Sequence, residues 1–309
     1  RERKQILERT KTDTRENENR YWRERKQIRK AGPTTTFEFA DRSKVTTFIH
    51  TLTLNFGTKT ADGLHVGLVS RFEPSTSPHG RPPTIPWASL GLRKTSVEAP
   101  EYKCILEQLL AQPPPQRLIE SYSFSIYTKP GMHPTGEVIL GGQDPTKYDG
   151  LLDYVRIVDD EEQFVQLLGL GIGKRDKDRI RVKAMTVIDS GTINFVFPIS
   201  LKKDILKLLR TAGKKKVDIE EKSGFYTMQC NKAEYLPSIT FYLAGLQGEE
   251  VPLTLPGVNM VTEGDGNGCY VNVEFDEVDE WFIGSRALVG YYYFYELSES
   301  RIGFAVARP

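Results

Sequence analysis

Ala184-Met185-Thr186-Val187-Ile188-Asp189-Ser190-Gly191-Thr192-Ile193-Asn194-Phe195-Val196-Phe197-Pro198 is the stretch that decides the fold. A β-favouring apolar run leads into Asp-Ser-Gly-Thr, and a second apolar run follows. The first run predicts a buried strand. Gly191 lets the chain turn sharply, and the small hydroxyl residues beside it can hydrogen-bond a carboxylate and nearby backbone. The expected product is one aspartate, Asp189, held at a strand end by a short loop.

Downstream, Ser200 is placed to cap a helix with apolar positions at 201, 205, 206, 208 and 209, closed by Gly213. Lys214–Lys216 then reads as a solvated turn, and short strands between Gly-rich turns run from Phe225 to Phe304. Upstream, Gly169-Leu170-Gly171-Ile172-Gly173-Lys174 invites a phosphate-loop reading. That pattern needs Ser or Thr after the Lys and a helix beyond, so a β-turn between strands is expected instead. Thr36–Ser43 and Val45–Asn55 predict a hairpin, Trp87–Leu92 a buried strand and Ala99–Gln112 a helix stopped by Pro113-Pro114-Pro115. Ser123–Tyr127, Gly136–Gly142 and Leu152–Val158 read as further strands. The fold class is therefore all-β with minor helices.

At 309 residues there is room for two lobes. The 42 basic and 41 acidic side chains nearly balance, yet 12 basic and 6 acidic ones lie in residues 1–30. Residues 1–32 are read as a charged extension, disordered or a solvated helix, separate from a mildly acidic body. Glu interleaved with its Arg and Lys argues against nucleic acid as partner. Asp13-Thr14-Arg15 lacks both a glycine and a leading apolar strand, and is rejected as a second aspartate loop. No apolar run approaches the ~20 residues that cross a bilayer, so no membrane is expected. Because the chain opens on Arg1 without a secretory leader, it is expected to be processed, truncated or a fragment. Cys104, Cys230 and Cys269 allow one bridge and one leftover thiol, and Cys104 beside the helical stripe reads as a structural thiol. His50, His65, His79 and His133 make no metal-ligand spacing, so neither metal nor cofactor is expected.

Several landmarks now fall in one order. Gly136–Tyr148 (GEVILGGQDPTKY), Trp281–Ser285 (WFIGS) and Arg301–Ala305 (RIGFA) resemble the inter-lobe and C-terminal segments of pepsin-like aspartic proteases. The Asp189-Ser190-Gly191-Thr192 loop resembles their catalytic motif, and Leu90-Gly91-Leu92 resembles an N-lobe segment. Phe39-Ala40-Asp41-Arg42-Ser43 occupies the place of the flap, with Phe39 for the usual Tyr and Arg42 for a usual Gly. Ser285 stands where the family has Asp.

The resemblance, over residues 35–309, implies a bilobal pepsin-like β-barrel fold with an incomplete N-lobe: 33–150 as the N-lobe remnant with flap and inter-lobe segment, 151–309 as the C-lobe. It implies Asp189 as catalytic, Ser190, Gly191 and Thr192 as its loop support, and Phe39, Ala40, Asp41 and Ser43 as substrate-facing. It also implies a Cys230–Cys269 disulfide. The family function is acid endopeptidase cleavage of peptide or protein substrates, by a monomer that is secreted or vacuolar. Its chemistry needs two aspartates, one ionised to draw a proton from water and one protonated to polarise the scissile carbonyl. Residues 1–31 supply no counterpart for the first of them. The expectation is an aspartic protease relative that is catalytically impaired as this chain stands. The alternatives are a truncated product of an active protease, a pseudoenzyme that binds peptides or partner proteins, and a dimer in which each chain lends Asp189.

Overall fold

The computed structural model describes residues 33–39, 43–74, 89–97, 99–114, 117–131, 133–174, 179–264, 268–277 and 279–309. The charged extension, Ala40 and Asp41 of the flap, and most of the Pro-rich 74–86 stretch lie outside the described residues. Contacts group the described chain into two units, one running to Leu90 and taking in Ser96–Lys103, the other Gly91–Thr95 with Cys104–Pro309.

The first unit is a three-stranded antiparallel sheet of β1 (Thr34–Glu38), β2 (Lys44–Phe56) and β3 (Lys59–Glu73), in that order. The hairpin expected from 36–55 is present as β1 and β2, paired from Thr34↔Phe48 to Glu38↔Lys44. Tyr102 packs on this sheet: its ring meets Phe37 edge-on at 5.0 Å and its hydroxyl accepts from Thr47 Oγ1 at 2.9 Å. That recruitment shortens the helix expected over 99–112. Only α1 (Ile105–Leu110) is helical, because Cys104 is extended and its N–H donates to Thr95 Oγ1 at 2.8 Å. Ser89–Leu92, the described part of a predicted buried strand, pairs with no strand among the described residues, and Leu90 is exposed. A lone apolar alternation without a neighbouring strand to satisfy its backbone does not make sheet.

In the second unit β4 (Ser123–Thr128), β5 (Gly136–Leu140), β6 (Asp153–Asp159), β7 (Phe164–Ile172), β8 (Ile180–Asp189) and β9 (Phe195–Pro198) precede α2 (Lys202–Thr211). Then come β10 (Glu220–Lys222), β11 (Phe225–Gln229), β12 (Ile239–Ala244), β13 (Glu250–Leu255), β14 (Val261–Glu263), β15 (Gly268–Val271), β16 (Val273–Asp276), β17 (Trp281–Gly284), β18 (Tyr291–Glu296) and β19 (Arg301–Val306). One large sheet runs β16-β9-β17-β8-β7-β6-β19-β18-β4-β5, with β12 joined to β7 and β13 to β12. Residues 104–150 belong to this unit because β4 pairs with β18 and β5 with β4. A smaller sheet orders β10-β11-β15-β14. The class is all-β with few helices, as the sequence implied.

Two local readings change. Gly169–Ile172 is the end of β7, and the turn begins only at Gly173, whose φ of +84° favours glycine. The missing side chain at Gly169 makes room for Arg179, which stacks over Tyr242 at 3.8 Å and pairs with Glu250. Ser200 lies within a 3-10 turn, Ile199–Leu201, so α2 starts at Lys202 with no side-chain cap. Its stripe behaves as expected, burying Ile205, Leu206 and Leu209. The core behind β9 is aromatic: Phe195 and Phe197 face Phe241 at 5.7 and 6.5 Å, and Phe197 meets Trp281 edge-on at 5.7 Å.

Candidate active site

β8 and β9 are consecutive in the chain, yet β17 lies between them, parallel to β8 and antiparallel to β9. The Ser190–Asn194 connection must therefore cross the end of β17. At that crossing stands Gly284, in register with Asp189. A Cβ at Gly284 would lie 2.1 Å from Asn194 O and 2.7 Å from Ile193 O, so only glycine lets the loop pass.

Asp189, half-buried, is oriented by its own loop. The Gly191 N–H donates to Oδ1 at 2.8 Å and the Thr192 hydroxyl to Oδ2 at 2.6 Å. One hydrogen bond to each oxygen fixes the plane of the carboxylate. Ser190 and Gly191 are exposed, while Thr192 is half-buried. The loop is tied at its middle and just beyond its end: Ser285 N–H donates to Thr192 O at 2.6 Å, and Phe195 N–H to Asn272 O at 2.9 Å. Asn194 Nδ2 donates to Glu274 Oε2 at 2.8 Å.

Beneath the aspartate, the buried Tyr295 hydroxyl donates to Ile188 O at 3.3 Å. Burial, and secondarily the Asp189 charge, push its pKa up, so it stays a neutral phenol there. Thr186 Oγ1 donates to Trp281 O at 3.0 Å and locks β8 to β17. Arg286 is buried, and burial draws its pKa below the usual guanidinium value. Among the described residues no group of three or more His, Cys, Asp or Glu is placed to hold a metal.

Of the residues singled out from sequence, Asp189, Ser190, Gly191 and Thr192 form one loop. Phe39 and Ser43 belong to the other unit, joined across the β1–β2 tip by Phe39 N–H to Ser43 O at 2.9 Å. Phe39 is exposed there and Ser43 buried. Cys230 and Cys269 are disulfide-bonded, 39 residues apart, and Cys104 is free and buried. Burial pushes the Cys104 thiol pKa up, which suits a structural role rather than a nucleophile. Gly284, Asn272, Tyr295 and Arg286 were not singled out as site residues. Gly284 had a signal, a glycine directly after the apolar β17 run. The other three had none, because their contacts come from strands distant in sequence.

The family model described as eukaryotic aspartyl protease matches residues 15–307, reaching further upstream than the motifs did. The chain therefore belongs to the eukaryotic aspartyl protease family, the pepsin-like aspartic proteases. It is similar to renin of Rattus norvegicus, with 28% identity over 202 residues, covering 62% of this chain and 47% of renin. It is also similar to pepsin B of Canis lupus familiaris, 24% identical over 225 residues, covering 71% of this chain and 54% of that protein. Pepsin-2B of Gadus morhua is 26% identical over 197 residues, covering 62% of this chain and 56% of its own. The chain thus spans about half the length of the relatives it matches.

Proposed function

We propose that this chain carries one half of an aspartic-protease catalytic pair, with Asp189 as the catalytic carboxylate, and that it is catalytically impaired as it stands. The observation that carries this reading is the loop geometry. Both oxygens of Asp189 are hydrogen-bonded from Gly191 and Thr192, and Gly284 opens the crossing that presents the side chain. A carboxylate held this way can accept a proton from water. Polarising the scissile carbonyl at the same moment takes a second, protonated carboxylate. In residues 1–309 an Asp followed by Ser or Thr and then Gly occurs once. Losing one member of a catalytic unit costs several orders of magnitude in rate.

The substrates on this reading are peptides or proteins. Phe39, with an exposed ring just after β1, and Ser43 belong to the segment that serves as the substrate-facing flap. By motif order 33–150 is the first-lobe remnant and 151–309 the second lobe, although by contacts residues 104–150 group with the second unit. A second reading is a peptide-binding pseudoenzyme, favoured by the replacement of the flap Tyr hydroxyl with Phe39.

Calorimetry with pepstatin, whose hydroxyl sits between two carboxylates in the family, separates these readings. Weak, unsaturated binding at acid pH is expected for half a pair. Tight binding lost in Asp189→Asn would show a complete pair and overturn the proposal. Tight binding retained in that variant would favour the pseudoenzyme.

A further inference from the structure

Arg286 directly follows Ser285, whose N–H holds the Thr192 carbonyl at 2.6 Å. Its guanidinium reaches the segment that enters β14. Nε donates to Asn259 O at 2.7 Å and one terminal nitrogen to Val261 O at 3.1 Å. Between those two carbonyls lies Met260, whose own oxygen accepts from both nitrogens of Asn272, the backbone N–H at 2.7 Å and Nδ2 at 3.1 Å. Asn272 O in turn holds Phe195, the first residue after the aspartate loop. The Asn259 side-chain amide donates to Val289 O at 2.8 Å, tying the chain just beyond the 3-10 turn Ser285–Ala287 to the same segment.

These bonds form one circuit. Thr192 in the middle of the loop is held by Ser285, Phe195 just beyond it by Asn272, and the Arg286 fork joins the two holders through residues 259–261. All of the donors and acceptors are in one unit, and Asn259, Asn272 and Arg286 are buried. A buried fork that bonds two carbonyls two residues apart fixes a backbone segment more tightly than a flexible ammonium could. Loss of either donor would leave a buried carbonyl unpaired, which the segment would relieve by moving.

We propose that Arg286 is a positioning residue for Asp189, setting the Ser190–Asn194 loop and through Thr192 the orientation of the carboxylate. The inference rests on the reading of Asp189 as the catalytic group. Its test reads the loop amides and needs no activity, so its failure is separable from failure of that reading.

The experiment is amide hydrogen exchange on the whole chain, comparing Arg286→Met with the natural protein. Protection at Ser285 and Phe195 is expected to fall by about tenfold more than at Tyr293 and Tyr295 in the core strand β18, as selective local opening requires. The Gly191 amide resonance, bonded to the carboxylate, is expected to move with it. Arg286→Lys, which keeps the charge but not the fork, is expected to give a selective loss of about threefold. A purely structural role would lower protection at all these amides together. That uniform loss, or unchanged protection at Ser285 and Phe195, overturns the proposal. Should Arg286→Met not fold, Arg286→Lys decides by the same ratio: a selective loss supports the proposal, and a uniform or absent one overturns it.

Discussion

The Asp189 loop and the Phe39–Ser43 turn are both short connections between β-strands, and they are built on opposite principles. The aspartate loop joins strands that are not neighbours. It must cross β17, and it is fixed by Ser285, Asn272, Glu274 and the absent side chain of Gly284. The 39–43 connection joins neighbours, β1 and β2, and among the described residues Phe39 N–H donates to Ser43 O across it. Burial follows the same division. Phe195 and Phe197 beyond the aspartate loop are wholly enclosed, whereas Phe39 is half exposed. A group that must hold one orientation is placed where distant strands converge, and a group that meets a varied ligand can sit on a single hairpin.

The comparison breaks most readily through the disulfide. Cys269 lies in β15, three residues before Asn272, and its bond to Cys230 closes a 39-residue separation. Cys230→Ser with Cys269→Ser is expected to cost about 4 kcal/mol in the second unit. Urea titration should show that loss while the β1–β3 sheet signals are unchanged. A loss shared by both units would mean that they unfold as one.

Gly284→Ala comes next. Its Cβ would meet two carbonyl oxygens at 2.1 and 2.7 Å. An expected destabilisation of about 3 kcal/mol follows from overpacking against backbone that cannot turn aside. An unchanged urea midpoint would show that the crossing is looser than described. At the hairpin, Phe39→Ala should change thermal stability by at most about 0.5 kcal/mol, because the ring is half exposed. A cost comparable with that of Gly284→Ala would erase the distinction between the two turns.

What was legible in the sequence follows the same line. The aspartate loop could be read because Ala184–Ile188 and Phe195–Phe197 are apolar runs flanking turn chemistry, and local patterns of that kind report strands. The family motifs gave the class and the disulfide, but no local pattern reveals that β17 inserts between β8 and β9. Gly284 is therefore legible only as part of the WFIGS segment, and Arg286 carries no local signal. The helix expected from Ala99 failed for a related reason. Tyr102 carries a helical neighbourhood in sequence but is held by Phe37 and Thr47. Tertiary contact overrode propensity there, as it did for Gly169–Ile172, whose glycines sit in a strand because Arg179 and Tyr242 fill the space above them.

The central claim is that Asp189 is an ordered catalytic carboxylate without its partner in this chain. Hydrolysis of a denatured protein between about pH 3 and pH 6, the acid range in which carboxylate pairs work, tests it most directly. The purified chain and Asp189→Asn are compared side by side at several protein concentrations. The account predicts no appreciable cleavage by either. Acid-optimum cleavage that pepstatin blocks and Asp189→Asn abolishes would contradict it, with specific activity falling on dilution if the second carboxylate comes from another copy of the chain.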